Sequence, residues 1–463
     1  MISYQQQQQQ QQINEVLQNE IVITCTLFSK CGNYLIASNS YGYINVWYLN
    51  TKPLHRSTTT TTTSSSNKLN NINDSMSIDN NSRKNISLST SSTSSNINSY
   101  CNENSCHYGF KAHNTAINCI LFYNENQLLS SDDTEIKAWN WNDIKQSINI
   151  NIEEINNNNN NDNEFINYSF DNINTKAMFI IPSPQKEGVR GSLSERCEIN
   201  GLDVDNNGRL YFGCGDSNAY CWDVVRGQMI STFVGHSDYV HQVKYNSFYN
   251  TLLSTSEDAT VRIWDCNTNQ CQNILSPSLK KSIKQSDVTK SGSGSGSGSV
   301  SGSGVQHANS NKIMSSSWTG PIDLDVTGNW LVVGGSSLTM WYLGKLNTMS
   351  AQLSNQPLAS YHSVVFEKDR VMACGSEGVV NHYALDGKLL MRVPSTSDIL
   401  YTLSCNPHSR NQIIVAAGTS TLINTYINQE NIAFSYCFES IAIKIRMDVL
   451  LSVDLYFDQI QDV

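Results

Sequence analysis

The sequence is short of charge, short of basic residues and without a long apolar run. Charged residues make up 15% of the chain, against about 25% in a typical globular domain. Acids outnumber bases by 40 to 30, for a formal net charge of -10. A protein that holds nucleic acid by its own surface usually carries a basic face, because phosphate neutralisation dominates such affinity. Its lack argues against direct, non-specific RNA or DNA binding. No apolar stretch approaches the roughly 18 residues needed to span a bilayer, and no apolar leader core follows Met1. The thirteen cysteines are scattered and odd in number, which reads as reduced thiols in the cytosol or nucleus. The expectation is a soluble, intracellular chain with no membrane contact.

Hydrophobic residues are also sparse, at 39% of 463 residues. The deficit is concentrated in four tracts: Gln5 to Gln12, about Ser57 to Ser99, Asn156 to Asn163, and Lys290 to Gly304. None can bury enough apolar surface to offset its ordering entropy, so all four read as disordered. The expected organisation is a Gln-rich N-terminus at 1–20 and a folded body at 21–438. The body carries inserts at about 51–106, 147–173 and 276–313, and a tail follows at 439–463. The inserts are expected between the repeating units. In the tail, Ile441, Ile443 and Ile445 alternate as in a strand.

Outside the tracts one theme recurs: a β-rich run ending in small residues, a tight polar turn, and a run ending in an aromatic. Its copies run from Tyr34 to Trp47, Leu128 to Trp139, Leu210 to Trp222, Leu252 to Trp264, Leu331 to Trp341, Val371 to Tyr383 and Ile413 to Tyr426. Without the inserts the period is roughly 40–45 residues, the length of one four-stranded propeller blade. A lone sheet of that kind cannot bury both faces, so blades must pack on one another in a ring. The fold expected is an all-β, seven-bladed β-propeller. The small residues at the end of each second strand are read as narrowing the blade toward a crowded channel.

The stretch from Gly235-His236 through Ser256, Asp258 and Trp264-Asp265 resembles a WD40 repeat, and Ala112-His113 to Trp139 resembles a second, partial one. What the resemblance implies is a buried hydrogen-bonded tetrad in each. The matching sets are His236, Ser256, Asp258 and Trp264, and His113, Ser131, Asp133 and Trp139, aligned by equal distance from the tryptophan. In such a set indole donates to hydroxyl, hydroxyl to imidazole and imidazole to carboxylate, so the role is structural and no catalytic residue is assigned. The third unit has Asp216 and Trp222, with Cys214 placed at the hydroxyl position. Tyr239 and Arg262 fall, by family pattern, at one rim of the propeller and are the candidate partner contacts; His241 is read as local structure.

Within the WD40 group, Leu128 to Trp141, Glu198 to Gly201, Gly235 to His241 and Ile432 to Phe438 are similar to the THO complex subunit 6 family. That resemblance implies a nuclear, non-catalytic scaffold of the THO and transcription–export assembly, which couples transcription and splicing to mRNA export. The implied partners are the coiled-coil THO subunits, with RNA reached through the complex, and no cofactor or small-molecule substrate. The alternative is a substrate receptor for a cullin-type ubiquitin ligase. Such receptors carry Arg or Lys at the third position beyond Trp, and here those positions are Asn267 and Val225. Cys101, Cys106 and His107 lack a second metal-binding pair, so no metal is expected. The Gly-Ser tract has no phosphate-loop ending, and Lys280, Lys281 and Lys284 read as a solvated linker.

Overall fold

The computed structural model describes residues 21–49, 106–158, 175–185, 192–193, 195–277, 317–345, 349–354, 359–408, 413–427 and 431–437. The Gln run, the Ser/Thr/Asn and Gly-Ser tracts, Cys101, the three lysines and the alternating isoleucines of the tail lie outside them.

Among the described residues, successive hairpins build 28 strands. The first sheet contains β1 (Ile23–Phe28), β2 (Tyr34–Asn39), β3 (Tyr43–Tyr48) and β4 (Tyr108–Lys111). The second contains β5 (Cys119–Asn124), β6 (Gln127–Ser131), β7 (Glu135–Asn140) and β8 (Phe179–Pro182). The third runs through β9 (Ile199–Val204), β10 (Arg209–Cys214), β11 (Asn218–Asp223) and β12 (Gln228–Val234). The fourth has β13 (Val240–Asn246), β14 (Thr251–Ser256), β15 (Val261–Asp265) and β16 (Cys271–Leu275). An eight-stranded sheet follows. Its strands are β17 (Thr319–Leu324), β18 (Trp330–Gly335), β19 (Thr339–Tyr342), β20 (Met349–Gln352), β21 (Tyr361–Glu367), β22 (Arg370–Gly375), β23 (Val379–Ala384) and β24 (Leu389–Pro394). Its two halves are joined only by the pair Gly335–Tyr361. The last sheet holds β25 (Leu400–Cys405), β26 (Ile414–Gly418), β27 (Leu422–Ile427) and β28 (Asn431–Cys437).

All of this is antiparallel, and the architecture is all-β, consistent with a β-propeller. The recurring theme of the sequence is the hairpin of second and third strands. Its aromatics occupy one register position: Leu35 faces Trp47, Leu128 faces Trp139, Leu210 faces Trp222 and Leu252 faces Trp264. Leu331 faces Trp341, Val371 faces Tyr383 and Ile414 faces Tyr426 in the same way. Second strands are covered on both faces, every residue of β2 and β14 being buried, so they read as continuous apolar or small runs. The outermost β12 alternates, with Gln228, Ile230, Thr232 and Val234 near or at the solvent.

The apolar clusters lie between sheets. Ile44, Val46, Ile120 and Trp139 join the first sheet to the second, and Leu129, Ile136, Leu202 and Phe212 join the second to the third. The series runs on to the last sheet, where Val415, Ala417 and Ile423 pack with Leu35 and Trp47 of the first. First strands also bond to one another through side chains. Asp203 accepts from the Tyr245 N–H at 2.6 Å, Asp323 from Phe366 at 2.9 Å and Ser363 from Leu403 at 3.2 Å. Thr402 accepts from the Thr26 N–H at 2.9 Å, tying β25 to β1.

Two expectations are corrected here. The inserts near 51–106 and 147–173 do not separate sheets; they interrupt the first and second sheets between third and fourth strands. Only the break near 276–313 falls between sheets. Second, the chain from about 147 does not begin structureless, because α1 (Trp141–Asn158) is helical. Asn140 Oδ1 accepts the Asn142 N–H at 3.0 Å as its cap, and Trp141, Ile144 and Ile148 fall on one face buried against the first two sheets. The glycines ending two second strands are required by the backbone of their own unit. A Cβ on Gly375 or Gly418 would stand 1.8 Å from the carbonyl oxygen of Ser360 or Ile399, in the chain entering the same unit's first strand.

Candidate functional site

The fourth sheet holds a buried Trp–hydroxyl–imidazole–carboxylate chain. Trp264 Nε1 donates to Ser254 Oγ at 2.8 Å, and Ser254 Oγ lies 2.8 Å from His236 Nε2. His236 Nδ1 lies 2.9 Å from Asp258 Oδ2. Because Ser254 accepts from the indole, its own proton goes to Nε2, which leaves the imidazole proton on Nδ1 facing the carboxylate. Thr260 Oγ1 and the Ser237 N–H also donate to Asp258, at 2.6 and 3.1 Å. Burial pushes the Asp258 carboxyl up, but these donors together with His236 outweigh it and hold the group well below the usual carboxylate range.

The second sheet repeats the chain with Trp139 Nε1 donating to Ser130 Oγ at 2.8 Å and Ser130 Oγ 2.7 Å from His113 Nε2. His113 Nδ1 approaches Asp132 Oδ2 at 3.2 Å, without the alignment of an aligned hydrogen bond. Burial raises the Asp132 carboxyl, and His113 with the Thr134 and Glu135 N–H groups more than reverses it.

His236, Asp258, Trp264, His113 and Trp139 therefore stand where sequence spacing puts them. Ser256, Ser131 and Asp133 do not. The bridging hydroxyls are Ser254 and Ser130, and the second carboxylate is Asp132. The reason is register. Trp264 faces Leu252 and Trp139 faces Leu128, so the hydroxyl within reach is the diagonal neighbour two residues on, Ser254 or Ser130. Ser256 is a further pleat away and instead donates to Asp238 O at 3.0 Å. Ser131 points to the other face, buried with no hydrogen-bond partner among the described residues. Asp133 only accepts from Asn118 Nδ2 at 3.3 Å. Equal spacing from the tryptophan misled because the second sheet's turn is one residue shorter.

The same register puts Phe212, not Cys214, at the hydroxyl position of the third sheet. Phe212 stacks on Tyr220 at 5.4 Å, and the Tyr220 hydroxyl donates to Asp216 at 2.7 Å. Cys197, Cys214 and Asp216 come within 4.8 Å of one another, but that carboxylate is already taken by Tyr220 and Asn218. His107 Nδ1 accepts the Tyr48 N–H at 3.1 Å, and burial lowers its pKa to about 4. Cys106 is packed between the first and last sheets.

A direct test separates the serines. Ser130→Ala is expected to lower stability by about 1–3 kcal/mol by leaving a buried indole and imidazole unpaired, whereas Ser131→Ala stays within about 0.5 kcal/mol. Urea unfolding of the two variants checks it, and equal losses would count against the assignment of Ser130.

Tyr239 is about half exposed and lies against Gly215; Arg262 is partly buried, its guanidinium 5.8 Å from the Trp264 ring centroid. The Arg262 Nε is buried without a hydrogen-bond partner among the described residues. His241 is more than local structure, as its Nε2 meets Glu257 at 2.8 Å and its ring meets Trp318.

Two stretches, 104–140 and 227–265, match the family model described as WD domain, G-beta repeat. All members of both tetrads lie within these stretches, which are similar to WD40 repeats. Over most of its length it is similar to THO complex subunit 6. The plant protein of Arabidopsis thaliana is 28% identical over 305 residues, 64% of this chain and 68% of the relative. The Danio rerio homolog is 24% identical across 89% of this chain and 95% of its own. The human protein is 24% identical across 71% and 79%.

Proposed function

We propose that the protein is a non-catalytic scaffold of a THO-type assembly, built as a seven-bladed propeller in which each half of the eight-stranded sheet is one blade. The observation that carries this reading is the similarity to THO complex subunit 6 from plant, fish and human over most of the chain. Its place would be the nucleus, its task the coupling of transcription and mRNA processing to export, and its partners the other THO subunits, the coiled-coil ones first. Tyr239 and Arg262 are the proposed partner contacts.

The Ser254–His236–Asp258 series has the order of a hydrolytic triad, yet its chemistry supports structure. Ser254 is 0% exposed and its oxygen already accepts the Trp264 indole. A nucleophile needs access to substrate and an oxyanion site beside it. Mass spectrometry of what co-purifies with the tagged chain from nuclease-treated nuclear extract tests the proposal. Recovery of the remaining THO subunits is expected. Cullin adaptors in their place, or no nuclear partner, would leave the fold standing and end the export reading.

A further inference from the structure

First strands other than β5 begin with a β-bulge or irregularity at one end of the sheets. His241 is the unpaired residue between the pairs Val240–Ser256 and Gln242–Thr255. His362 lies between Tyr361–Gly375 and Ser363–Cys374, and Tyr401 between Leu400–Gly418 and Thr402–Ala417. In β17 the irregularity spans Gly320 and Pro321. The Trp318 ring covers that glycine so closely that a Cβ there would stand 2.3 Å from its Cζ3. Bulges re-aim side chains; three of them, with Trp318 just ahead of β17, bring rings from four successive units into one row. Ring centroids are 5.6 Å apart from His241 to Trp318, 5.9 Å from Trp318 to His362 and 5.1 Å from His362 to Tyr401. All four side chains are partly exposed.

Carboxylates border the row. Glu257 holds His241, and Glu198, Asp238 and Asp398 stand exposed in the segments that lead into β9, β13 and β25. These leading segments and the turns between second and third strands share one end of an antiparallel unit. The nearby Arg392 is bound to Glu377 at 2.7 Å. Rings with acidic borders attract a planar cation, which stacks on aromatic faces while pairing with carboxylates. Unstacked bases would also lie on such rings, but bordering carboxylates repel phosphates.

We propose that this row is a docking site for an arginine-bearing basic segment of a partner protein. Guanidinium groups stack on Trp318 and the flanking imidazoles and pair with Glu257 and its neighbours. The proposal deepens the scaffold reading, on which it rests, by giving the chemistry of one partner. The test is a titration of the purified full chain into a fluorescently labelled peptide of alternating Arg and Gly, followed by anisotropy. Saturable binding is expected, weakened about tenfold by Trp318→Ala and several-fold by Glu257→Gln. Tyr249→Ala, in the β13–β14 turn at the opposite end, should leave it unchanged. Thermal melts verify that the variants fold, and His362→Ala replaces Trp318→Ala if the latter does not. No saturable binding, binding indifferent to both ring substitutions, or preference for an oligouridylate through Trp318 overturns the proposal. Normal recovery of THO subunits beside a failed titration would overturn the docking site alone; a successful titration without those subunits would overturn the assembly reading alone.

Discussion

Trp47→Ala is expected to lower the unfolding free energy by about 3–5 kcal/mol, as for other large-to-small changes of a buried aromatic. Trp47 is fully buried and packs with Val415, Ala417 and Ile423 of the last sheet. Its ring also meets Tyr436 at 5.7 Å. The cavity left would open where the first and last sheets meet, a seam otherwise held by Thr26 with Thr402 and Ser404. The surrounding side chains sit on rigid strands and cannot collapse into the gap, which places the cost at the upper part of the range. Urea unfolding of the variant measures it. A loss below about 1 kcal/mol would mean that the two sheets do not pack on each other, and the ring would be open.

The second large effect is expected from His236→Ala, a loss of about 1–3 kcal/mol from leaving Ser254 and Asp258 without their shared partner. An unchanged thermal melt would remove the tetrad as a stabilising unit. The acid limb supplies an independent check. The Asp258 carboxyl is held below its ordinary value in the folded chain. Its contribution is present above the unfolded carboxylate pKa of about 4 and is lost as pH falls through the folded value. Wild type should therefore lose stability progressively below about pH 4. The variant, with only Thr260 and the Ser237 N–H left to favour the ionised form, should lose less over that window.

Much of the fold was legible because hairpins are local. A β-rich run ending in small residues, a polar turn and a run ending in an aromatic marked the second and third strands, and all of those aromatics share one register position. The helix from Trp141 is obscured in the sequence because asparagines surround the helical stripe of Trp141, Ile144, Ile148 and Ile152. The serines were misassigned because two hydroxyls stand close together in each second strand, and only pairing tells which lies diagonal to the indole. The ring row was illegible: His241, Trp318, His362 and Tyr401 are far apart in the chain, and a bulge leaves no mark of its own in the residues that form it.

By itself the sequence determined the all-β repeat, the positions of the hairpins and the histidine, tryptophan and Asp258 members of the tetrads. Each depends on side-chain period and turn chemistry within one unit. Tertiary structure decided which hydroxyl bridges, where the fourth strands rejoin their sheets across the inserts, and which rings meet. Those depend on strand register and on packing between units, and neither is encoded in the spacing of neighbours along the chain.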